Sequence, residues 1–171
     1  VARAAGRAVR AGWARSESVL GDVDRHPAAG WVRHQADSEG GVRKVGERFV
    51  LDGGADASAS SAVLINAVTH AQGPYRCENA VVDGYAVRTN HLPCGAMRGF
   101  GVVQACFAHE RQMDRLAAAC DMDPVDIRLL NAMETGDRLI TGQRIENVAP
   151  VARCIRETMA LPLPEPETEG H

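Results

Sequence analysis

GAMRGFGVVQACFAHERQMDRLAAAC, residues 95–120, decides how this chain is read. It opens with Gly95-Ala96-Met97-Arg98-Gly99-Phe100-Gly101 and runs into a stretch where Val102, Cys106, Met113, Leu116 and Cys120 recur at helical spacing, with His109 in the same stripe. Apolar side chains three and four residues apart share one face of an α-helix, so a long amphipathic helix is predicted from just after Gly101. The turn in front of it has a physical use. Glycine lets backbone approach another group closely, and the first N–H groups of a helix favour an anion or an electron-rich oxygen. Arg98 adds charge, and Phe100 offers an aromatic face to a flat ring. Taken alone, the same residues also describe an ordinary strand-to-helix connection.

Outward from this stretch the pattern changes. Trp31 to Ala36 and Val42 to Leu51 read as strands either side of Asp37-Ser38-Glu39-Gly40-Gly41, a cluster with hairpin-turn chemistry. Val81 to Thr89 reads as a third strand from its Val, Tyr and Thr content. Between them, Ala62 to Val68 is apolar nearly all round and is expected to be a buried element, reached from a loop that includes Ser58 to Ser61. Near the start, Ala2 to Arg10 reads as the end of a helix, Val9, Ala11 and Trp13 alternate as a half-buried strand would, and Pro27 and Gly30 mark a loop. Downstream, Asp123-Pro124 supplies an N-cap and a first-turn proline for a helix to about Met133. A last helix is expected from about Val148 to Ala160. The sum is an α+β fold, with antiparallel strands in the N-terminal half and helices packed on them in the C-terminal half. Residues 1–163 read as a single partial domain and residues 164–171 as a flexible Pro/Glu-rich tail.

Composition removes several function classes. With 19 Lys and Arg against 22 Asp and Glu, the net charge is -3 and there is no basic run, so nucleic acid is not an expected partner. No apolar stretch approaches the roughly 18 to 20 residues that cross a bilayer, no membrane is expected, and the chain reads as cytoplasmic. The five cysteines are widely spaced with no C-x-x-C pair, which speaks against a disulfide framework or a zinc or iron-sulfur site and for reduced core residues. His109-Glu110-Arg111-Gln112-Met113 begins like a zinc-protease helix but has Met113 where the second His belongs. Glu110 and Asp114 are better read as salt-bridging structure. Gly99-x-Gly101-x-x-Gln104 lacks the last glycine of a dinucleotide fingerprint. No metal ligands are expected.

Together these motifs resemble a known family. Thr89-Asn90, Gly95 to Gly101, Gln104, Glu110, Met113-Asp114, Leu116-Ala117, Met122-Asp123-Pro124, Arg128, Asn131, Gly136-Asp137 and Thr141-Gly142-Gln143 look like the large, molybdopterin-binding subunit of the xanthine dehydrogenase and aldehyde oxidase type molybdenum hydroxylases. Gly6 to Arg10, Ser16-Glu17-Ser18, Arg25-His26-Pro27, Asp37 to Gly41, Asp52 to Ala55 and His70 to Tyr75 follow the same family in order, so the resemblance runs from near the start to about Leu163.

The resemblance implies hydroxylation of an aldehyde or an N-heterocycle with water as oxygen source, a molybdopterin cofactor, and iron-sulfur clusters and FAD on other subunits or domains. It implies cofactor contacts from Met97, Arg98 and Gly99, and a substrate-packing ring in Phe100. Purine-oxidising members carry an Arg where this chain has Asn66, which keeps hydrogen bonding but not the guanidinium fork, so Asn66 is expected at the substrate and xanthine is not the expected substrate. Asn66 equally fits a residue that satisfies a buried backbone group. The family's catalytic Glu has no counterpart here, so no catalytic residue is assigned to this chain. It reads as a fragment that is inactive alone and relies on the remaining large-subunit segments and the iron-sulfur and FAD subunits. Self-association is expected through Ala62 to Val68. A non-catalytic interaction module that keeps the fold is the alternative.

Overall fold

The computed structural model describes residues 1–163. Strand β1 (Ala28–Ala36) and strand β2 (Val42–Gly54) pair antiparallel, from Ala28↔Leu51 to Gln35↔Lys44. Asp37 closes the hairpin: its Oδ1 accepts from the Glu39 N–H at 3.0 Å and the Gly41 N–H at 2.8 Å, and Gly40 takes the turn's positive φ of 86°. Asn131 locks this turn from the far end of the chain. Its Oδ1 accepts from the Val42 N–H at 2.8 Å and its Nδ2 donates to the Gly40 carbonyl at 2.9 Å.

Strand β3 (Ala80–Arg88) lies on the other side of β2 and runs parallel to it, so the sheet of order β1-β2-β3 is mixed. This corrects the expectation of antiparallel strands throughout. Residues 55–79 contain helix α1 (Ser60–Thr69), and a crossover of that length returns the chain in the same direction. Strand propensity carries no information on direction, so the residues of β3 alone cannot reveal it.

One face of the sheet is covered. Val45, Glu47, Phe49 and Leu51 alternate inward from β2, where α1 and helix α2 (Val102–Ala119) pack. Val42, Val45, Tyr75, Met113, Ala117 and Ile127 form the main core cluster, with Phe49, Ala71 and Ala105 beside it. Glu47 breaks the apolar series and is paired with His34 at 2.8 Å. Burial pushes the Glu47 carboxyl up, and the His34 contact opposes that. Helix α3 (Pro124–Asn131) starts where Asp123-Pro124 requires, with Asp123 accepting from the Val125 N–H at 2.6 Å. Helix α4 spans Val151–Met159.

Several other expectations need correction. The buried face of α2 is Ala105, His109, Met113 and Ala117, while Cys106 is exposed, so the stripe is rotated from the one the apolar residues suggest. His109 belongs to the core: its Nδ1 donates to the Ala71 carbonyl at 3.1 Å, its ring meets Tyr75 edge-on, and burial lowers its pKa. Helix α1 is buried only along Ser60, Val63 and Ala67, because the fold covers one of its sides. Ser60 is thus a helical residue and not part of a loop. Of the cysteines, Cys94 alone is buried, Cys77 and Cys120 are intermediate, and Cys106 and Cys154 are exposed. Gly30 lies within β1. Val9 to Trp13 forms no strand; this segment joins two short helices, Ala2–Ala5 and Arg15–Gly21, neither of which buries a residue. The Pro/Glu-rich tail lies outside the described residues. Among those described, no helix is long and apolar enough to cross a membrane, and no group of three His, Cys, Asp or Glu is placed to hold a metal ion.

Candidate functional site

The turn at 95–101 follows the end of β3 and leads into α2. Its approach is fixed at the tail of β2: the Gly54 carbonyl accepts from the Thr89 N–H at 3.0 Å and the Gly53 carbonyl from the Cys94 N–H at 3.0 Å. Asp52 gathers the same segment, accepting from the Thr89 hydroxyl at 2.6 Å and pairing with the His91 ring. Those bonds, with the Gly54 N–H, bring the Asp52 carboxyl down to about 2.

The turn itself requires its glycines. Gly99, Phe100 and Gly101 all take positive φ, at 90°, 47° and 98°. A Cβ on Gly101 would run into the Val63 carbonyl and stand 3.1 Å from the Ala67 nitrogen, so α1 and α2 cross where only glycine fits. Phe100 has no such licence, and its conformation costs of order 1 kcal/mol. Its carbonyl accepts from Asn66 Nδ2 at 2.9 Å, a bond of similar size in the other direction.

Residues before β1 complete the support. Arg25 Nη2 donates to the Arg98 carbonyl at 2.7 Å, the Gly95 N–H donates to the Asp24 carbonyl at 2.9 Å, and Gln104 Nε2 donates to the His26 carbonyl at 3.0 Å. His26 Nε2 meets the Ser60 hydroxyl at 2.7 Å inside the fold. Burial lowers the His26 pKa, with the nearby Asp52 carboxylate pulling the other way. Arg25 Nη1 and Gln104 Oε1 are buried without a hydrogen-bond partner, which leaves a donor and an acceptor unspent beside the turn.

The sequence-assigned residues therefore converge. Met97, Arg98 and Gly99 are exposed, and Phe100 next to them is half-buried with its carbonyl tied to Asn66. Within the described residues the backbone N–H groups of Met97, Arg98 and Gly99 take no acceptor. Carbonyls held by Arg25 and Asn66, beside exposed residues whose amides take no acceptor, leave donors suited to an electron-rich oxygen or a ring nitrogen. Glu110 and Asp114 sit elsewhere, both held by Arg128 at 2.8 Å, with the Tyr75 hydroxyl also on Glu110. They are structural, as their spacing indicates. Arg25, His26, Ser60 and Gln104 are given no site role in the sequence reading, although Arg25, His26 and Gln104 stand among the residues of the resemblance.

The family model described as "Molybdopterin cofactor-binding domain" matches residues 1–132. The nicotinate dehydrogenase large molybdopterin subunit of Eubacterium barkeri is 44% identical over 133 residues, 78% of this chain and 31% of that protein. A probable xanthine dehydrogenase subunit of Bacillus subtilis (strain 168) is 38% identical over 132 residues, 77% of this chain and 18% of that protein. The solved aldehyde oxidoreductase of Desulfovibrio gigas superposes with a TM-score of 0.75 at 29% identity, covering 79% of this chain and 15% of that one. The chain thus spans less than a third of the length of these relatives.

Proposed function

Since the chain belongs to the molybdopterin cofactor-binding domain family, we propose that it forms one wall of the cofactor and substrate site in the large subunit of a molybdenum hydroxylase. The observation that carries this reading is the turn at 97–101, where Arg25 and Asn66 hold the Arg98 and Phe100 carbonyls while the N–H groups of Met97, Arg98 and Gly99 take no acceptor among the described residues.

Met97, Arg98 and Gly99 would hold the molybdopterin through backbone N–H groups. When bound, that cofactor supplies the two-electron oxidation that replaces a substrate C–H by C–OH, with the oxygen drawn from water and two protons released. The electrons leave through iron-sulfur clusters and FAD carried on other subunits or domains. This chain's own part is placement. Phe100 packs on the substrate ring, and its strained φ, held by Asn66, fixes the ring's angle, an orientation effect rather than a proton transfer. Asn66 spends its Nδ2 on the Phe100 carbonyl, which leaves Oδ1 as an acceptor toward a substrate N–H or O–H. A neutral amide here favours an N-heteroaromatic substrate other than xanthine, in keeping with the name of the 44% identical relative. No residue of this chain acts as the base, and the chain turns over nothing by itself.

The test is metal analysis of the purified chain, alone and co-expressed with its neighbouring subunits, with Phe100→Ala assayed for hydroxylation in the co-expressed form. Molybdenum recovered only with partners, and turnover weakened by the variant, is the expected result. Molybdenum absent even with partners overturns the reading and leaves a non-catalytic interaction module.

A further inference from the structure

Among the described residues, no helix or strand packs on the face of the sheet opposite α1 and α2. The register puts Trp31, Arg48 and Asp83 side by side on this face, with Tyr85 beside Val50 and Val81 beside Gly46. The apolar members stand in the open: Trp31 is 63% exposed, Val81 69% and Tyr85 50%. A cleft of about 1340 Å³ is lined by these residues and also by Phe107, Arg111 and Arg115 of α2, so it wraps the free edge of β1. Phe107 is 76% exposed. A three-stranded sheet with one bare apolar face is half of a layered structure, and such faces pack against a second layer.

Charge identifies the kind of layer. Arg48 is paired with Asp83 at 3.0 Å, but Arg33, Arg111 and Arg115 form no ion pair among the described residues. Glu47 lines the same cleft with Oε2 buried and without a partner. At the rim Asp83 is already taken by Arg48, so Arg33, Arg111 and Arg115 find no counter-charge among the described residues, and the floor lacks a hydrogen-bond donor for Glu47. A second copy of this chain joined face to face would set these arginines against themselves.

We propose that the outer sheet face and the β1 edge seat a segment of large-subunit sequence outside this chain, one that carries acidic residues for Arg33, Arg111 and Arg115 and a large apolar side chain for the Trp31–Tyr85 surface. This rests on the proposed membership of a larger molybdenum hydroxylase subunit, and the relatives' own length gives the material: the chain covers 31% of one and 18% of the other.

The test places the photo-crosslinker p-benzoyl-phenylalanine at position 85, an aromatic exchange for an exposed Tyr85, in the full chain expressed in its native cells. Peptide mapping then identifies what is captured. A cross-link to acidic sequence of a molybdopterin large subunit, on the same polypeptide or another, is the expected result. Arg33→Glu combined with Arg115→Glu should cut its yield at least about tenfold, with the thermal midpoint unchanged. Capture of a second copy, of residues 164–171, or of nothing overturns the proposal, as does a yield indifferent to charge reversal in a variant that still folds. Molybdenum content of the same preparation is read separately, so a failed docking surface and a failed cofactor reading are distinguishable.

Discussion

Gly101 and Gly142 both take positive φ, at 98° and 84°, yet their surroundings differ completely. A Cβ at Gly142 meets nothing within 4 Å, whereas one at Gly101 collides with the Val63 carbonyl and crowds Ala67. Alanine at either position bears the left-handed penalty of roughly 1–2 kcal/mol. Alanine at Gly101 adds backbone displacement between α1 and α2, about 1–3 kcal/mol by analogy with overpacked cores. Gly142→Ala is therefore expected to lower unfolding free energy by about 1 kcal/mol and Gly101→Ala by about 3 kcal/mol. Urea titrations followed by far-UV circular dichroism measure both, with m-values compared to confirm that the same surface is exposed. Equal losses in the two variants would refute the claim that helix crossing, rather than φ alone, demands glycine at position 101.

Two more perturbations probe the frame around the site. Asn131→Ala strands the Val42 N–H and the Gly40 carbonyl inside the fold; at about 1–3 kcal/mol for each orphaned group, a loss near 3 kcal/mol is expected in the same titration, and one under about 1 kcal/mol means water replaces the amide. Asp52 is held ionised down to about 2 against an ordinary 3.8, so its contribution is complete above pH 3.8 and fades as pH falls toward 2. Asp52→Asn should flatten stability across that window, and an unchanged pH profile between variant and parent would show that Thr89 and His91 do not stabilise the charge.

Much of the local chemistry was legible where the residues involved lie close in sequence. Asp37 to Gly41 announces its own turn, Asp123-Pro124 its own helix start, and the α2 periodicity its own length. What escaped depends on distant partners. The direction of β3 is set by the crossover through α1, not by the composition of Ala80–Arg88. Trp13 looks like a strand residue because alternation is common by chance in a short run, but its ring only lies against Gly21 of the next short helix and stays largely exposed. At the site, the resemblance supplied Met97 to Phe100 and Asn66, but Arg25 and Gln104 act through single hydrogen bonds to backbone carbonyls, and a carbonyl has no signature in sequence.

Those supporting bonds reach far along the polypeptide: Arg25 and Arg98 are 73 positions apart, His26 and Gln104 are 78, and Asn66 and Phe100 are 34. The β1–β2 hairpin closes over a five-residue loop, while the turn cannot be held until the crossover has docked and α2 has met both α1 and the strand before it. Closure entropy grows with separation, so native contacts of this reach form after local ones. During synthesis Arg25 and Asn66 leave the ribosome well before Arg98 and wait for it. The turn at 97–101 is thus assembled late, together with the Asn131 lock on the hairpin, whose bonds to Val42 and Gly40 reach 89 and 91 positions back.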